Sequence, residues 1–417
     1  MVLTPNPASP SERGRERLAC DLLIVGAGIG GLSMAHHAAA AGLSVRVLER
    51  ERRAGGCLHS HRFAGALEGF WLELGAHSCF NSYGDLLAIL ESRQALDRLI
   101  KRAKVGFRLY ADSAVKTIPP QLYFPELLLA PFRLLGLKKT GRGVADYFGR
   151  IVGPRNYAAV FGPAFNAVIC QPAGEFPADC LFRSRPRRKD IPRGFTLAGG
   201  LQTIADILAE QPGIPIELGR AARAVRREGA EFVVRADDRD YTARHLCLAT
   251  PVDVAAQLLR AEFPELAERL AGIPTAMVET VGVALPKSRL SLPPLAGLIG
   301  RGEPFFSAVS RDTVPDAGFR GFTFHFRPGA LDEEGKLSRV AEVLNVPRSE
   351  FGSENVATKI NRLPALRVGH GDLIRAVDHL LPGNRLALTG NYFTGVAIED
   401  CVTRSRGEFE RLRREEL

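Results

Sequence analysis

Gly26, Gly28 and Gly31, set in the run G-A-G-I-G-G, are the residues of this 417-residue chain whose types and spacing most directly state a chemistry. Gly26 permits a tight turn, Gly28 lets the main chain approach a pyrophosphate, and Gly31 lets a following helix pack on a sheet. The N–H groups of Ile29, Gly30 and Gly31 at that helix start would face phosphate oxygens, with the positive end of the helix dipole behind them. Glu49, about 20 residues beyond the glycines, is placed to accept hydrogen bonds from a ribose and disfavours a 2′-phosphate. The chemistry is the binding of a dinucleotide.

The elements that must position these residues are legible around them. An apolar strand is predicted over 22–25, an alanine-rich helix to about 41 ended by Gly42, and a second strand over 44–48 that finishes on Glu49. Arg50 and a glycine pair, Gly55-Gly56, follow directly. "LELGAHSCF" then carries an acid-leucine-glycine run in Glu73, Leu74 and Gly75. Far along the chain, "RLALTGNYFTGVAIEDC" reads as a strand tipped by Gly390 and a helix beginning at Val396. Strand, glycine and helix at the C-terminal end can close the same cofactor site from the opposite side.

These motifs, in this order, resemble the amine oxidase, protoporphyrinogen oxidase and phytoene desaturase superfamily of flavoproteins. The protoporphyrinogen oxidase branch is the most similar, through Val368-Gly369-His370 and the run from Gly390 to Cys401. The resemblance implies non-covalent FAD. It places Gly55 and Gly56 against the pyrophosphate and ribityl chain, Leu74 and Gly75 on the approach to the flavin ring, and Val225 against adenine. Thr250, ending a buried strand, joins the cofactor set. Gly390 and Asn391 would lie beside the ribityl and phosphates. Gly395 would let the backbone come close, with the N–H groups of Val396 and Ala397 toward the pyrimidine edge, where a helix start stabilises negative charge on a reduced flavin. Where plant-type members carry G-P-N-S, this chain has Gly75-Ala76-His77-Ser78, and His77 is the candidate polar group near the ring.

Length makes two or more domains the expectation. The implied fold is α/β: a Rossmann-like FAD domain assembled from 18–100, 193–255 and 366–417, with a helical cap over 101–192 and a mixed substrate sheet over 256–365. Residues 1–17 read as a flexible polar tail. Seven cysteines with no CxxC pair suit a reducing cytoplasm, and Cys57, Cys79, Cys170 and Cys401 read as small buried hydrophobes. A net charge of +9 invites a nucleic-acid reading. The basic residues are scattered, and "RSRPRRKDIPR" has no interleaved aromatics, so no nucleic acid is expected. Arg187, Arg188 and Arg193 in that run are candidates for substrate carboxylates. No apolar run reaches the roughly 20 residues of a membrane span. The segment 119–139 reads as a cap broken by Pro125 and Pro131, or as a surface segment in peripheral contact with a membrane.

No metal-ligand cluster or Ser-His-Asp set is present, so the cofactor must carry the hard step, hydride transfer from a carbon to flavin N5. A small-molecule substrate is implied, first a protoporphyrinogen or coproporphyrinogen. An amine oxidase or desaturase acting on a secondary metabolite stays open, as does a flavin-binding tetrapyrrole carrier without turnover. Glu399 and Asp400 read as carboxylates of a helix start, and His59, His61 and His370 as structural.

Overall fold

The computed structural model describes residues 17–237 and 239–415; the tail at 1–16 lies outside them. Leu22 to Val25 are apolar without alternation, as a strand covered on both faces requires. Leu22 and Ile24 enter one core, Leu23 and Val25 the other. The strand Arg17–Val25 is central to a sheet in the order Ile216–Leu218, Val45–Glu49, Arg17–Val25, Arg239–Leu248, all parallel. Beyond Arg239–Leu248, the parallel strand Leu386–Leu388 pairs with one end and the antiparallel hairpin Ala222–Glu228 and Glu231–Ala236 with the other. Three separated stretches of chain therefore build one sheet.

The helices Ile29–Ala40 and Ile398–Arg414 lie together on one face of this sheet. Ser405 Oγ donates to the Gly30 carbonyl at 2.8 Å, which ties the C-terminal helix to the first glycine turn. Glu408, buried, takes Arg404 and Arg411 and so holds the helix beside the strand Leu386–Leu388. The C-terminal helix was expected to begin at Val396. It begins at Ile398, because Asp400 Oδ2 accepts the Ala397 N–H at 3.1 Å and caps the turn there.

The second sheet runs in the order Val356–Pro364, Thr275–Pro286, Phe319–Phe326, Phe305–Ser310, Gly297–Gly300, Phe107–Ala111, Ala114–Lys116. Its pairs are antiparallel except Gly297–Gly300 with Phe107–Ala111. The sequence "FRGFTFHF" alternates. Phe322, Phe324 and Phe326 enter a core with Val340 and Leu344 of the helix Glu333–Leu344, and Gly321, Thr323 and His325 take the other face. On that face Gly282 and Gly321 admit Leu74 and Leu72; a Cβ on either glycine would lie 2.8 Å and 2.5 Å from those side chains. The short strand Trp71–Glu73, paired with Ser60–Arg62, thus packs on the second sheet.

The cap is helical, with short helices Phe124–Leu128, Ala130–Leu134, Val144–Val152 and Gly162–Ile169. As expected, Pro125 and Pro131 divide the segment, into two five-residue helices. Each stands in a first turn, where the missing N–H costs nothing. Among the described residues no helix is long and apolar enough to cross a membrane. Cys79 and Cys401 are buried and Cys170 partly so, but Cys57 is exposed, contrary to the expectation from composition. Replacing Phe324 by Ala should lower the unfolding free energy by about 3–5 kcal/mol. Urea denaturation of the flavin-loaded protein measures this, and a loss under about 1 kcal/mol would contradict the packing described.

Candidate functional site

At the end of the strand Arg17–Val25 the chain turns at Gly26, where a φ of +103° and the Ala249 carbonyl oxygen, 2.6 Å from where a Cβ would stand, exclude a side chain. A Cβ on Gly31 would lie 1.9 Å from the Gly26 carbonyl. The first intrahelical bond runs from Leu32 N–H to the Gly28 carbonyl, which leaves the N–H groups of Ile29, Gly30 and Gly31 without helical acceptors. Space beside Gly28 is open to 4 Å where a Cβ would stand. Glu49, at the tip of its strand, accepts Ala27 N–H at 2.7 Å and Glu51 N–H at 2.8 Å, so its carboxylate also fixes the turn.

The second glycine pair meets the first turn. Gly55 N–H donates to the Ala27 carbonyl at 2.7 Å, and Gly28 and Gly55 form a parallel bridge. Arg53 and Lys359 both donate to the Gly56 carbonyl, at 2.6 and 3.1 Å. Neither has an ion pair among the described residues, and burial, with Arg53 nearby, holds the Lys359 amine down at about 8. The acid-leucine-glycine run arrives next. A Cβ on Gly75 would strike the Cys57 carbonyl, which accepts Ala76 N–H, and Leu74 N–H donates to the His59 carbonyl. Thr250 follows Ala249 beside Gly26.

The C-terminal segment closes on the same place. Thr389 N–H donates to the Leu248 carbonyl, its side chain meets Gly30, and Gly390 and Asn391 follow. Ile29, Ala76 and Ala397 pack against one common core. His370 explains the Val-Gly-His run: its Nε2 faces the Tyr392 and Phe393 carbonyls at 2.8 and 3.1 Å, must carry the proton, and so fixes the loop that presents Gly395. Ala397 N–H is spent on Asp400, whereas Val396 N–H makes no hydrogen bond among the described residues.

Other expected residues lie apart. Arg50 is exposed and pairs with Glu51. Val225 is buried in the core; the backbone that meets the tip of the Glu49 strand belongs to Gly219 and Arg220, whose N–H groups donate to the Glu51 and Glu49 carbonyls. Arg188 pairs with Glu91 and Asp190, Arg187 is exposed, and Arg193 does not reach the cavity described next. Glu399 caps the helix Gly84–Ser92 by accepting the N–H groups of Asp85 and Leu86. Among the described residues no group of His, Cys, Asp and Glu could hold a metal ion.

His77 lines a cavity of about 30 Å³ with Trp71, Glu73, Arg102, Thr196 and Arg311. That volume takes one water or the head of one carboxylate. Burial, then the Arg102 charge, holds the His77 imidazole down at about 4, so it is neutral at ordinary pH. Burial pushes Glu73 up to about 7, although Ser60 and the Leu201 N–H donate to it. Arg102 donates to Ser78 and Thr313, and Arg311 to the Trp71 and Val314 carbonyls while stacking on Trp71 at 4.0 Å. Neither arginine has a carboxylate partner among the described residues, and Thr196 Oγ1 is buried without any partner. Of this group His77 and Glu73 were singled out from the sequence; Arg102 and Arg311 carry no local motif.

The donor set fits an FAD: free helix-start N–H groups, a space that a Cβ at Gly28 would fill, two cations without counter-charge at Gly56, and an acid at a strand tip. The chain belongs to the family of flavin containing amine oxidoreductases, whose model matches residues 29–408, and its cofactor is FAD. A coproporphyrinogen III oxidase of Propionibacterium freudenreichii subsp. freudenreichii is 27% identical over 240 residues, 51% of this chain and 43% of that protein. The chain thus matches less than half the length of that relative. A solved structure from Exiguobacterium sp. 255-15, provisionally named a protoporphyrinogen oxidase, has a TM-score of 0.76 at 19% identity, covering 97% of this chain and 100% of that one. Cyclohexylamine oxidase from Brevibacterium oxydans IH-35A has a TM-score of 0.71 at 15% identity, covering 95% and 99%. Gly31→Ala should weaken FAD retention about tenfold or more, matching the roughly 1–3 kcal/mol of an overpacked contact. The flavin-to-protein absorbance ratio after dialysis reads this out; an unchanged ratio would contradict the geometry.

Proposed function

We propose that the protein removes hydride from a carbon of a carboxylate-bearing porphyrinogen, of the coproporphyrinogen or protoporphyrinogen kind. The observation that carries this reading is the cavity beside His77, where Arg102, Arg311 and the Thr196 hydroxyl offer donors that no carboxylate among the described residues takes. A guanidinium pairs bidentately with a carboxylate. An ammonium entering there meets two like charges against the single carboxyl of Glu73, which burial pushes toward its neutral form, and this argues against an amine substrate. The similarity to a coproporphyrinogen III oxidase over half of the chain supports the same substrate class.

FAD, when bound, supplies the hydride acceptor. Arg102 and Arg311 bind and orient a substrate carboxylate, and the buried walls exclude water around it. The face of the second sheet that carries Thr323 and His325 is the floor. Each two-electron step removes a hydride from carbon and a proton from a pyrrole N–H, whose electron pair is left to form the new double bond. His77, neutral and lining the cavity, takes that proton. The loop 390–397 is held by His370, and the Val396 N–H at its end would hold the flavin's pyrimidine edge.

Anaerobic mixing of the FAD-loaded protein with coproporphyrinogen III should bleach the flavin, while putrescine, cyclohexylamine and a polyunsaturated fatty acid should not. Arg102→Leu should weaken the half-saturating porphyrinogen concentration about 10- to 100-fold, the worth of a charge-assisted hydrogen bond. A flavin left oxidised by porphyrinogens and bleached by an amine or the fatty acid would overturn the proposal.

Peripheral membrane contact is the second part of the proposal. Leu128, Phe132 and Leu135 are 74, 72 and 79% exposed, and Phe124 and Leu129 are exposed beside them. Arg133 and Lys138 flank them. An apolar patch of this kind marks an interaction surface, and basic neighbours suit anionic headgroups. Replacing Leu128, Phe132 and Leu135 together by Ser should lower partition into anionic vesicles by about a hundredfold or more, at roughly 1.5–3 kcal/mol per buried side chain. Co-sedimentation measures it, and a native protein that stays in the supernatant would contradict the contact.

A further inference from the structure

Thr196 stands in the strand Gly194–Leu197, which pairs with Cys79–Phe80 and with Leu99–Lys101. It is 2% exposed, and its Oγ1 makes no hydrogen bond among the described residues. Burying a hydroxyl without a partner is costly, and this one lines the cavity of about 30 Å³ beside His77. An unmet hydroxyl at that depth calls for a partner from outside the chain.

The charge around it is positive. Arg102 follows the strand Leu99–Lys101 and Arg311 opens the turn Arg311–Thr313, and both line the same cavity. Arg102 donates once each from Nε, Nη1 and Nη2, to Thr313 and Ser78. Arg311 donates from Nε and Nη1 to the Trp71 and Val314 carbonyls. A guanidinium has five N–H groups, so two on Arg102 and three on Arg311 are left over. The acids nearby are committed elsewhere. Glu73 accepts Ser60 Oγ on one oxygen and the Leu201 N–H on the other, and burial pushes it up to about 7. Asp312, next to Arg311, is held by Arg320 in a buried pair and accepts the Leu295 N–H. Asp316 accepts the N–H groups of Gly318 and Phe319. A buried positive charge is costly until a counter-charge answers it. One water would meet the Thr196 hydroxyl and leave that charge standing; one monoanion meets both.

We propose that this cavity is an anion site in its own right, which binds a free planar monoanion of the formate or bicarbonate kind whenever no substrate carboxylate fills it. The volume admits one carboxylate head, and a guanidinium fork matches two coplanar oxygens. The Thr196 hydroxyl supplies a further donor from the strand beside them. Sulfate, with four oxygens in a tetrahedron and a double charge, does not match a space of that size. The consequence for turnover rests on the porphyrinogen reading above: the free anion and a substrate carboxylate exclude one another, so small carboxylates compete with substrate.

The FAD-loaded protein without substrate supplies the test. Trp71, the chain's single tryptophan, lines the cavity and lies 4.0 Å from the Arg311 guanidinium, so its emission reports what that group binds. Sodium formate, added at about pH 6 where Glu73 is mostly neutral, should change the emission along a saturable curve. Its midpoint should fall at about 1–10 mM, the range open to a ligand of three heavy atoms. Sodium sulfate at matched ionic strength should give no such curve. Thr196→Val keeps the shape of the side chain and should raise the formate midpoint about 3- to 10-fold, the worth of one hydrogen bond. Arg102→Leu should abolish saturation, and Thr196→Val alone decides if that variant does not fold. A response that does not saturate, that sulfate reproduces, or whose midpoint stays in place in Thr196→Val overturns the inference. In turnover, formate should raise the half-saturating coproporphyrinogen concentration and leave the maximal rate unchanged; a lowered maximal rate at unchanged half-saturation overturns the mutual exclusion. Failure of native protein to be reduced by coproporphyrinogen overturns the functional reading instead, and the emission titration still decides on the anion site.

Discussion

The carbonyl of Gly26 occupies the place that a side chain on Gly31 would need. On that contact depends how near the helix Ile29–Ala40 comes to the sheet, and with it where three unpaired N–H groups point. The same helix start is gripped from the far end of the chain, through Thr389 against Gly30 and Ser405 on the Gly30 carbonyl. A domain whose pieces lie at residues 17–49, 216–248 and 386–414 is therefore closed around one turn. The second sheet is carried between those pieces and packs against Leu72 and Leu74 of the run that leads to Gly75.

Charge is arranged at two places in a way that anticipates ligands. At Gly56, Arg53 and Lys359 converge on a carbonyl with no acid to answer them, which a diphosphate would do. In the cavity beside His77, Arg102 and Arg311 share the one carboxyl of Glu73 and neither is in an ion pair with it among the described residues, which leaves donors for a ligand carboxylate. Several other arginines are answered: Arg185 by Asp400, Arg188 by Glu91 and Asp190, Arg320 by Asp312. The chain's net positive charge of +9 is otherwise spread over the surface, where single charges and exposed pairs contribute little.

Much of this was legible in the sequence where the constraint is local. Glycines that must lack a side chain, an acid at a strand tip, and the alternation of "FRGFTFHF" are written into neighbouring residues. What could not be read is what long-range packing decides. Arg102 reaches Ser78 and Arg311 reaches the Trp71 carbonyl across separations with no periodicity to betray them. His325 looked like one polar position in a strand until the fold set it against His77. The Val225 side chain lies in the core, and it is the main chain at Gly219 and Arg220, just before the hairpin, that hydrogen-bonds to the tip of the Glu49 strand. The Ala397 N–H is withdrawn from the site by Asp400, a side chain three residues on, whose capping role only the turn geometry reveals.

The central claim is that both ends of the chain close one FAD site. Its most direct measurement is the identity and stoichiometry of the nucleotide released from purified protein by acid, separated by chromatography and quantified against the chain concentration. The account predicts FAD, at one molecule per chain and recovered without protease. FMN, a nicotinamide dinucleotide, or a protein that cannot be loaded with FAD would contradict it.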